Sequence, residues 1–130
     1  MILDQSRHYT HDSRRIKPGD GYICLPKGDA YIEDALQRGA VDVVHLTREA
    51  FAEAAHAYFD YPTKRVSLIG VTGTNGKTSV SYFVAQLLEQ LGHKVLVIGT
   101  LNSALTTPES WDILDQIKAH ADQGLSLIHI

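Results

Sequence analysis

The chain has one cysteine, four prolines and one tryptophan in 130 residues. A single thiol, Cys24, cannot build a disulfide framework or a cysteine-rich zinc module. It falls in the apolar run Tyr22-Ile23-Cys24-Leu25 and reads as a small, buried strand residue. No apolar stretch approaches the roughly 18 residues needed to cross a bilayer. Met1 to Arg7 lacks the apolar core of a signal peptide. Charge of one sign is also missing: 12 Lys and Arg stand against 15 Asp and Glu, a net charge of -3. That removes the electrostatic case for a nucleic acid or a membrane surface as partner. The histidines at 8, 11, 45, 56, 93, 120 and 129 show no ligand spacing with Cys24 or with one another on an expected helix. What remains is an ordinary globular composition, 44% hydrophobic and 21% charged, with room for one domain or two small ones.

The informative stretch is Gly70-Val71-Thr72-Gly73-Thr74-Asn75-Gly76-Lys77-Thr78. It follows an apolar run, Val66 to Ile69, and opens an amphipathic segment, Ser79 to Leu91. Strand, glycine loop and helix form the setting of a phosphate-binding loop. Glycines let backbone N–H groups approach phosphate oxygens closely, and the positive end of the following helix points at the same place. Lys77 would add a charge for the β- and γ-phosphates, and the Thr78 hydroxyl could ligate Mg²⁺. The common form of this loop has glycine at the position of Val71, so the match is to a variant. A glycine-rich turn without a ligand would not account for the lysine and threonine at the helix start.

Two regions separate near Pro62. In the first, a strand over Gly21 to Leu25, a helix over Tyr31 to Arg38 stopped by Gly39, and a strand over Val41 to Leu46 make a β-α-β unit. Thr47 reads as the N-cap of a helix over Arg48 to Phe59. In the second, a strand from Val66 feeds the loop. The next helix carries Val80, Phe83, Val84, Leu87, Leu88 and Leu91 on one stripe expected to face the core, and Gly92 ends it. Val95 to Ile98 reads as a buried parallel strand. Thr107 reads as an N-cap with Pro108 as first helical residue, and Trp111 as packing. The fold class is α/β. Residues 1–65 form a small β-α-β domain, and 66–130 form the start of a P-loop domain with a parallel sheet.

The loop Gly73-Thr74-Asn75-Gly76-Lys77-Thr78 resembles the ATP-binding loop of the Mur ligase family, ATP-dependent amide-bond ligases of peptidoglycan precursor synthesis. Asp12-Ser13-Arg14-Arg15-Ile16-Lys17-Pro18-Gly19-Asp20 resembles the N-terminal motif of the branch that uses UDP-linked substrates. Leu105-Thr106-Thr107-Pro108 resembles a substrate segment of the enzymes that add a diamino acid to UDP-MurNAc-L-Ala-D-Glu.

The resemblance implies that Lys77 is catalytic and that Gly73, Thr74, Asn75, Gly76, Lys77, Thr78 and Ser79 bind ATP. It implies Thr78 as the Mg²⁺ ligand, and Ser13, Thr106 and Thr107 as substrate contacts. The partners it implies are small molecules in the cytoplasm: ATP, the UDP-MurNAc-dipeptide and the diamino acid, whose identity it does not give. It implies an acyl-phosphate mechanism.

The chain departs from the family pattern in several places, among them missing strands between Val44 and Tyr58 and a short link from Thr100 to Thr106. Asp29-Ala30 runs almost directly from Gly28 into Tyr31, which abridges the first domain. The ending, Leu125 to Ile130, stands where a central strand and a Glu-Val-Ser-Ser-His-like segment belong, and it resembles translated sequencing adapter. The expectation is therefore a front fragment of a ligase, unable to catalyse ligation alone. Two alternatives stay open. One is a ligase of the folylpolyglutamate or cyanophycin synthetase type. The other is a non-catalytic P-loop nucleotide-binding module. The Pro-Gly-Asp segment could also be only a turn.

Overall fold

The computed structural model describes residues 3–99, 109–124 and 127–129. The chain divides into two compact units, 1–58 and 59–130. The division falls just after the second helix, and the Pro62–Arg65 turn belongs to the second unit.

In the first unit three short parallel strands pair in the order β1 (Tyr9–Thr10), β2 (Gly21–Cys24), β3 (Asp42–His45). The expected β-α-β unit is present as β2, α1 (Ile32–Gln37) and β3. Strand β1 was not evident in the sequence, because a two-residue strand has too few positions to show alternation. Alternation along β2 sends Tyr22 and Cys24 to one face, where they pack with Ile16, Ala35 and Ala40. Gly21 and Ile23 point to the other face. Tyr9 pairs with Gly21, and its ring lies so close to Gly21 that a Cβ there would collide with it. Helix α2 (Arg48–Tyr58) covers that side through the Tyr58 ring, edge-on to Tyr9 at 6.0 Å, and the Phe51 ring, 5.5 Å from His11. The sheet is therefore buried on both faces, as parallel sheets require.

The turns follow from their residues. Asp20 N–H donates to Lys17 C=O at 3.0 Å across Pro18-Gly19, with Gly19 at φ 93, the chemistry of a type II turn. Thr47 caps α2, its Oγ1 accepting from Ala50 N–H at 3.1 Å. Gly39 and Gly92 end their helices at φ 103 and 90.

In the second unit, β4 (Ser67–Ile69), α3 (Lys77–Gln90), β5 (Val95–Val97), α4 (Ser110–Asp122) and β6 (Leu127–His129) follow in sequence. The sheet is parallel and its order is β4-β6-β5. Leu127–His129, within the ending that resembles adapter, thus supply the middle strand. Ser67 and Val95 both pair with Leu127. Helix α4 starts at Ser110 with an extended Glu109 at its N-cap; Thr107 and Pro108, read as a helix start, lie outside the described residues. Its apolar face buries Trp111, Leu114 and Ile117. The Trp111 ring meets Phe59 edge-on at 4.9 Å, which confirms a packing role. Arg65 pairs with Asp122 at 2.8 Å and ties the Pro62–Arg65 turn to the end of α4.

Helix α3 departs from expectation. Its buried residues are Ser81 and Ala85, whereas Phe83, Leu87 and Leu91 are 64%, 61% and 75% exposed and Val80 is also exposed. The predicted stripe is wider than the surface a sheet of three-residue strands offers. The helix therefore seats Ser81 and Ala85, half-buries Tyr82, Val84 and Leu88, and leaves Val80, Phe83, Leu87 and Leu91 exposed.

Two outcomes are expected. Phe59→Ala should destabilise the second unit by about 3–5 kcal/mol, read in a urea melt by the fluorescence of Trp111, the only tryptophan. The Asp34 carboxyl is held below its ordinary value, first by the Ser13 hydroxyl and then by Arg38. A depressed carboxylate stabilises the fold above its unfolded pKa and loses that contribution as pH falls through the folded value. Acid titration of stability should be steeper below about pH 4 in the parent than in Asp34→Asn.

Candidate functional site

The glycine loop joins the carboxyl end of β4 to the first turn of α3. Gly76 is the N-cap at φ 76, ψ 3, a left-handed conformation that disfavours a side chain, and Gly73 sits at φ 149. The first intrahelical bond is Val80 N–H to Gly76 C=O at 2.9 Å. The N–H groups of Lys77, Thr78 and Ser79 therefore lie in the first turn without intrahelical acceptors, and no side chain caps the helix. Three donors, a helix dipole and a lysine converge there, which makes this end of α3 attractive to an anion.

The loop borders a cavity of about 630 Å³. Its walls are the carboxyl ends of β4 and β5, from Leu68 to Gly73 and from Val97 to Gly99, together with Lys77, Thr78, Ser81 and Tyr82 of α3. Ligands of open parallel sheets bind at this edge, and the volume falls in the range of small-molecule sites. Lys77 Nζ donates to Gly73 C=O at 2.6 Å, so the ammonium is folded over the loop. Ser81 Oγ donates back to Lys77 C=O at 2.8 Å and braces that turn.

Of the sequence-predicted nucleotide residues, Gly73, Lys77 and Thr78 line the cavity. Thr74, Asn75 and Gly76 form the exposed bend of the loop, and Ser79 is exposed in the first turn. Ser81 and Tyr82 were missed. Helical spacing could have found them, since they lie three and four residues after Thr78 and so share its face.

Ser13 lies in the first unit. It is 5% exposed, and its Oγ donates to Asp34 Oδ2 at 2.7 Å. Asp12 caps the short Ser13–Arg15 turn, accepting from Arg14 N–H at 3.0 Å, and its carboxyl is lowered chiefly by the Arg14 side chain. Thr106 and Thr107 lie outside the described residues. Cys24 is 2% exposed, and burial pushes its thiol pKa up. No helix among the described residues is long and apolar enough to cross a membrane.

A parallel α/β sheet with a phosphate-loop turn at its carboxyl edge defines a P-loop nucleotide-binding unit. Residues 71–128 match the Mur ligase middle domain, and the chain belongs to the Mur ligase family. It is 33% identical to the UDP-N-acetylmuramoyl-L-alanyl-D-glutamate--2,6-diaminopimelate ligase of Caldanaerobacter subterraneus, over 91% of this chain and 30% of that protein. It is 36% identical to the ligase of that name from Pseudomonas syringae, over 75% of this chain and 25% of the relative. The chain thus spans about 30% of the length of such relatives.

Two solved structures share the fold. A UDP-N-acetylmuramoyl-L-alanyl-D-glutamate--2,6-diaminopimelate ligase superposes with TM-score 0.69 at 23% identity, covering 95% of this chain and 31% of that one. The MurF ligase of Thermotoga maritima in complex with ADP gives TM-score 0.56 at 17% identity, covering 96% and 32%.

Lys77→Ala should weaken ATP binding by tenfold to a hundredfold, the cost of about 1.5–3 kcal/mol for a charged hydrogen bond. Displacement of a fluorescent nucleotide from the two proteins checks it; equal affinities would remove Lys77 from the site.

Proposed function

We propose that this chain is the front part of an ATP-dependent amide-bond ligase of peptidoglycan precursor synthesis, acting in the cytoplasm on UDP-MurNAc-L-Ala-D-Glu. The observation that carries the proposal is the uncapped first turn of α3, with Lys77 and Thr78 lining the cavity beside it. The names of the relatives favour the diamino-acid-adding reaction, and the ADP complex of the MurF relative favours ATP as the nucleotide.

In this reading a substrate carboxylate oxygen attacks the γ-phosphorus of ATP, and ADP leaves. The resulting acyl phosphate is attacked by the incoming amine, which loses a proton. The tetrahedral intermediate expels phosphate and leaves an amide. The chain contributes charge neutralisation and positioning. Lys77 swings from the Gly73 carbonyl to the β- and γ-phosphates, and the N–H groups from Thr74 to Thr78 cradle them.

The cavity wall offers the Thr78 hydroxyl and no carboxylate among the described residues. That donor set suits Mg²⁺ held jointly by Thr78 and the phosphates. Bound there, the ion would offset phosphate charge. Thr106 and Thr107 would contact the muramoyl-peptide part. Ser13 would contact UDP. Its proton is committed to Asp34, so that contact uses the acceptor lone pairs of the hydroxyl.

Titration with UDP-MurNAc-L-Ala-D-Glu separates this reading from a nucleotide-binding module without a ligase substrate. The chain should bind the dipeptide nucleotide, and Ser13→Ala should weaken it severalfold while leaving ATP affinity unchanged. Binding of ATP with indifference to the UDP compound would favour the non-catalytic module.

A further inference from the structure

The first unit carries a second cluster of chemically active side chains, apart from the phosphate loop and from Ser13. Cys24 is the last residue of β2 and His45 the last of β3, and the parallel register pairs them directly. Asp29 reaches the same point from the turn that follows β2. That turn closes with Gly28 N–H donating to Leu25 C=O at 2.7 Å. It holds Lys27 at φ 70, a left-handed conformation that L residues rarely take. Gly28 passes so near the thiol that a Cβ there would stand 3.2 Å from Cys24 Sγ. The harder clash would be with Leu25 C=O at 2.8 Å, so the tight turn beside the sulfur favours glycine.

The result is three different donors at one point. Asp29 Oδ1 is 3.9 Å from Cys24 Sγ and 3.8 Å from His45 Nδ1, and all three ligand atoms lie within 4.8 Å of one another. Tetrahedral zinc bonds of ordinary length place sulfur, oxygen and nitrogen ligands about 3.4–3.6 Å apart. The two short separations are therefore a few tenths of an ångström from a zinc geometry. The carboxylate and imidazole side chains are 75% and 62% exposed, so small side-chain rotations can close that gap. The thiol is buried, and among the described residues its polar contacts are long, 3.7 Å to Leu25 C=O and 3.9 Å to Asp29.

We propose that Cys24, Asp29 and His45 form a binding site for Zn²⁺, with a fourth position open to water. A thiolate, an imidazole and a carboxylate suit a borderline-soft divalent ion, and they do not suit Mg²⁺ or Ca²⁺, which take oxygen donors. On binding, the thiol proton is released to solvent and a metal–sulfur bond replaces it. Sequence spacing gave no hint of this site, because Cys24 and His45 belong to different strands and meet only through the sheet register. The site shares no residue with the nucleotide cavity, and its test does not depend on the ligase reading.

The test uses the whole chain under reducing conditions. Zinc retained after desalting should be about one ion per chain by elemental analysis. The Co²⁺-loaded protein should show a thiolate-to-cobalt charge-transfer band. Cys24→Ser should abolish that band, and Cys24→Ser, Asp29→Asn and His45→Ala should each weaken zinc by roughly tenfold or more. Excess Mg²⁺ should not compete. Asp29 and His45 are exposed, so their variants keep the fold intact should Cys24→Ser disturb it; circular dichroism monitors all three. No retained zinc, or wild-type affinity in any folded variant, overturns the proposal.

Discussion

Parallel strand pairing is the constraint on which both units depend. In a parallel sheet every strand ends at the same edge, and each connection must return across a face. In the second unit that edge gathers the ends of β4 and β5 around one cavity. In the first it brings the ends of β2 and β3 side by side, so that Cys24 meets His45. The chemistry of the chain sits where the backbone geometry concentrates strand ends and helix beginnings. Residues far apart in sequence become neighbours there without any motif to announce them.

The phosphate loop shows how little side-chain chemistry such a site needs. Its recognition elements are the backbone N–H groups of the first turn of α3, which have no intrahelical acceptors and no side-chain cap. The Lys77 ammonium rests on the Gly73 carbonyl, a neutral partner that a phosphate oxygen would outcompete electrostatically. Ser81, buried one turn later, holds that turn in place through the Lys77 carbonyl. The loop is thus built to exchange one weak internal contact for stronger external ones.

Local chemistry was largely legible in the sequence. The loop, the Gly39 and Gly92 stops, the Thr47 cap and the Lys17–Asp20 turn each depend on a few adjacent residues, and each appears where residue chemistry put it. Features decided by other parts of the chain were not. Two-residue β1 exists because β2 offers it a partner. Helix α4 has Glu109 as its N-cap although that residue offers no side-chain cap bond. The stripe on α3 was legible as apolar, but four of its six residues are exposed and Val84 and Leu88 are half-buried. Periodicity reports which side chains share a face, and only the size of the opposing surface decides whether that face is covered. The candidate zinc ligands belong to the same class: strand register brings Cys24 beside His45, and the turn after β2 brings Asp29 to them.

The uncovered stripe also sets the local stability of α3. A helix of 14 residues is near the length at which isolated helices are marginal in water. Here tertiary anchorage comes from Ser81 and Ala85 and from half-buried neighbours, all but Leu88 in the first three turns. Toward Leu91 and Gly92 there is little to oppose fraying. Amide protection should therefore decline along the helix, strongest where it leaves the glycine loop and weakest at its far end. The rigid end is the one that presents N–H groups to the cavity, so the helix can open at its C-terminal turns without disturbing them.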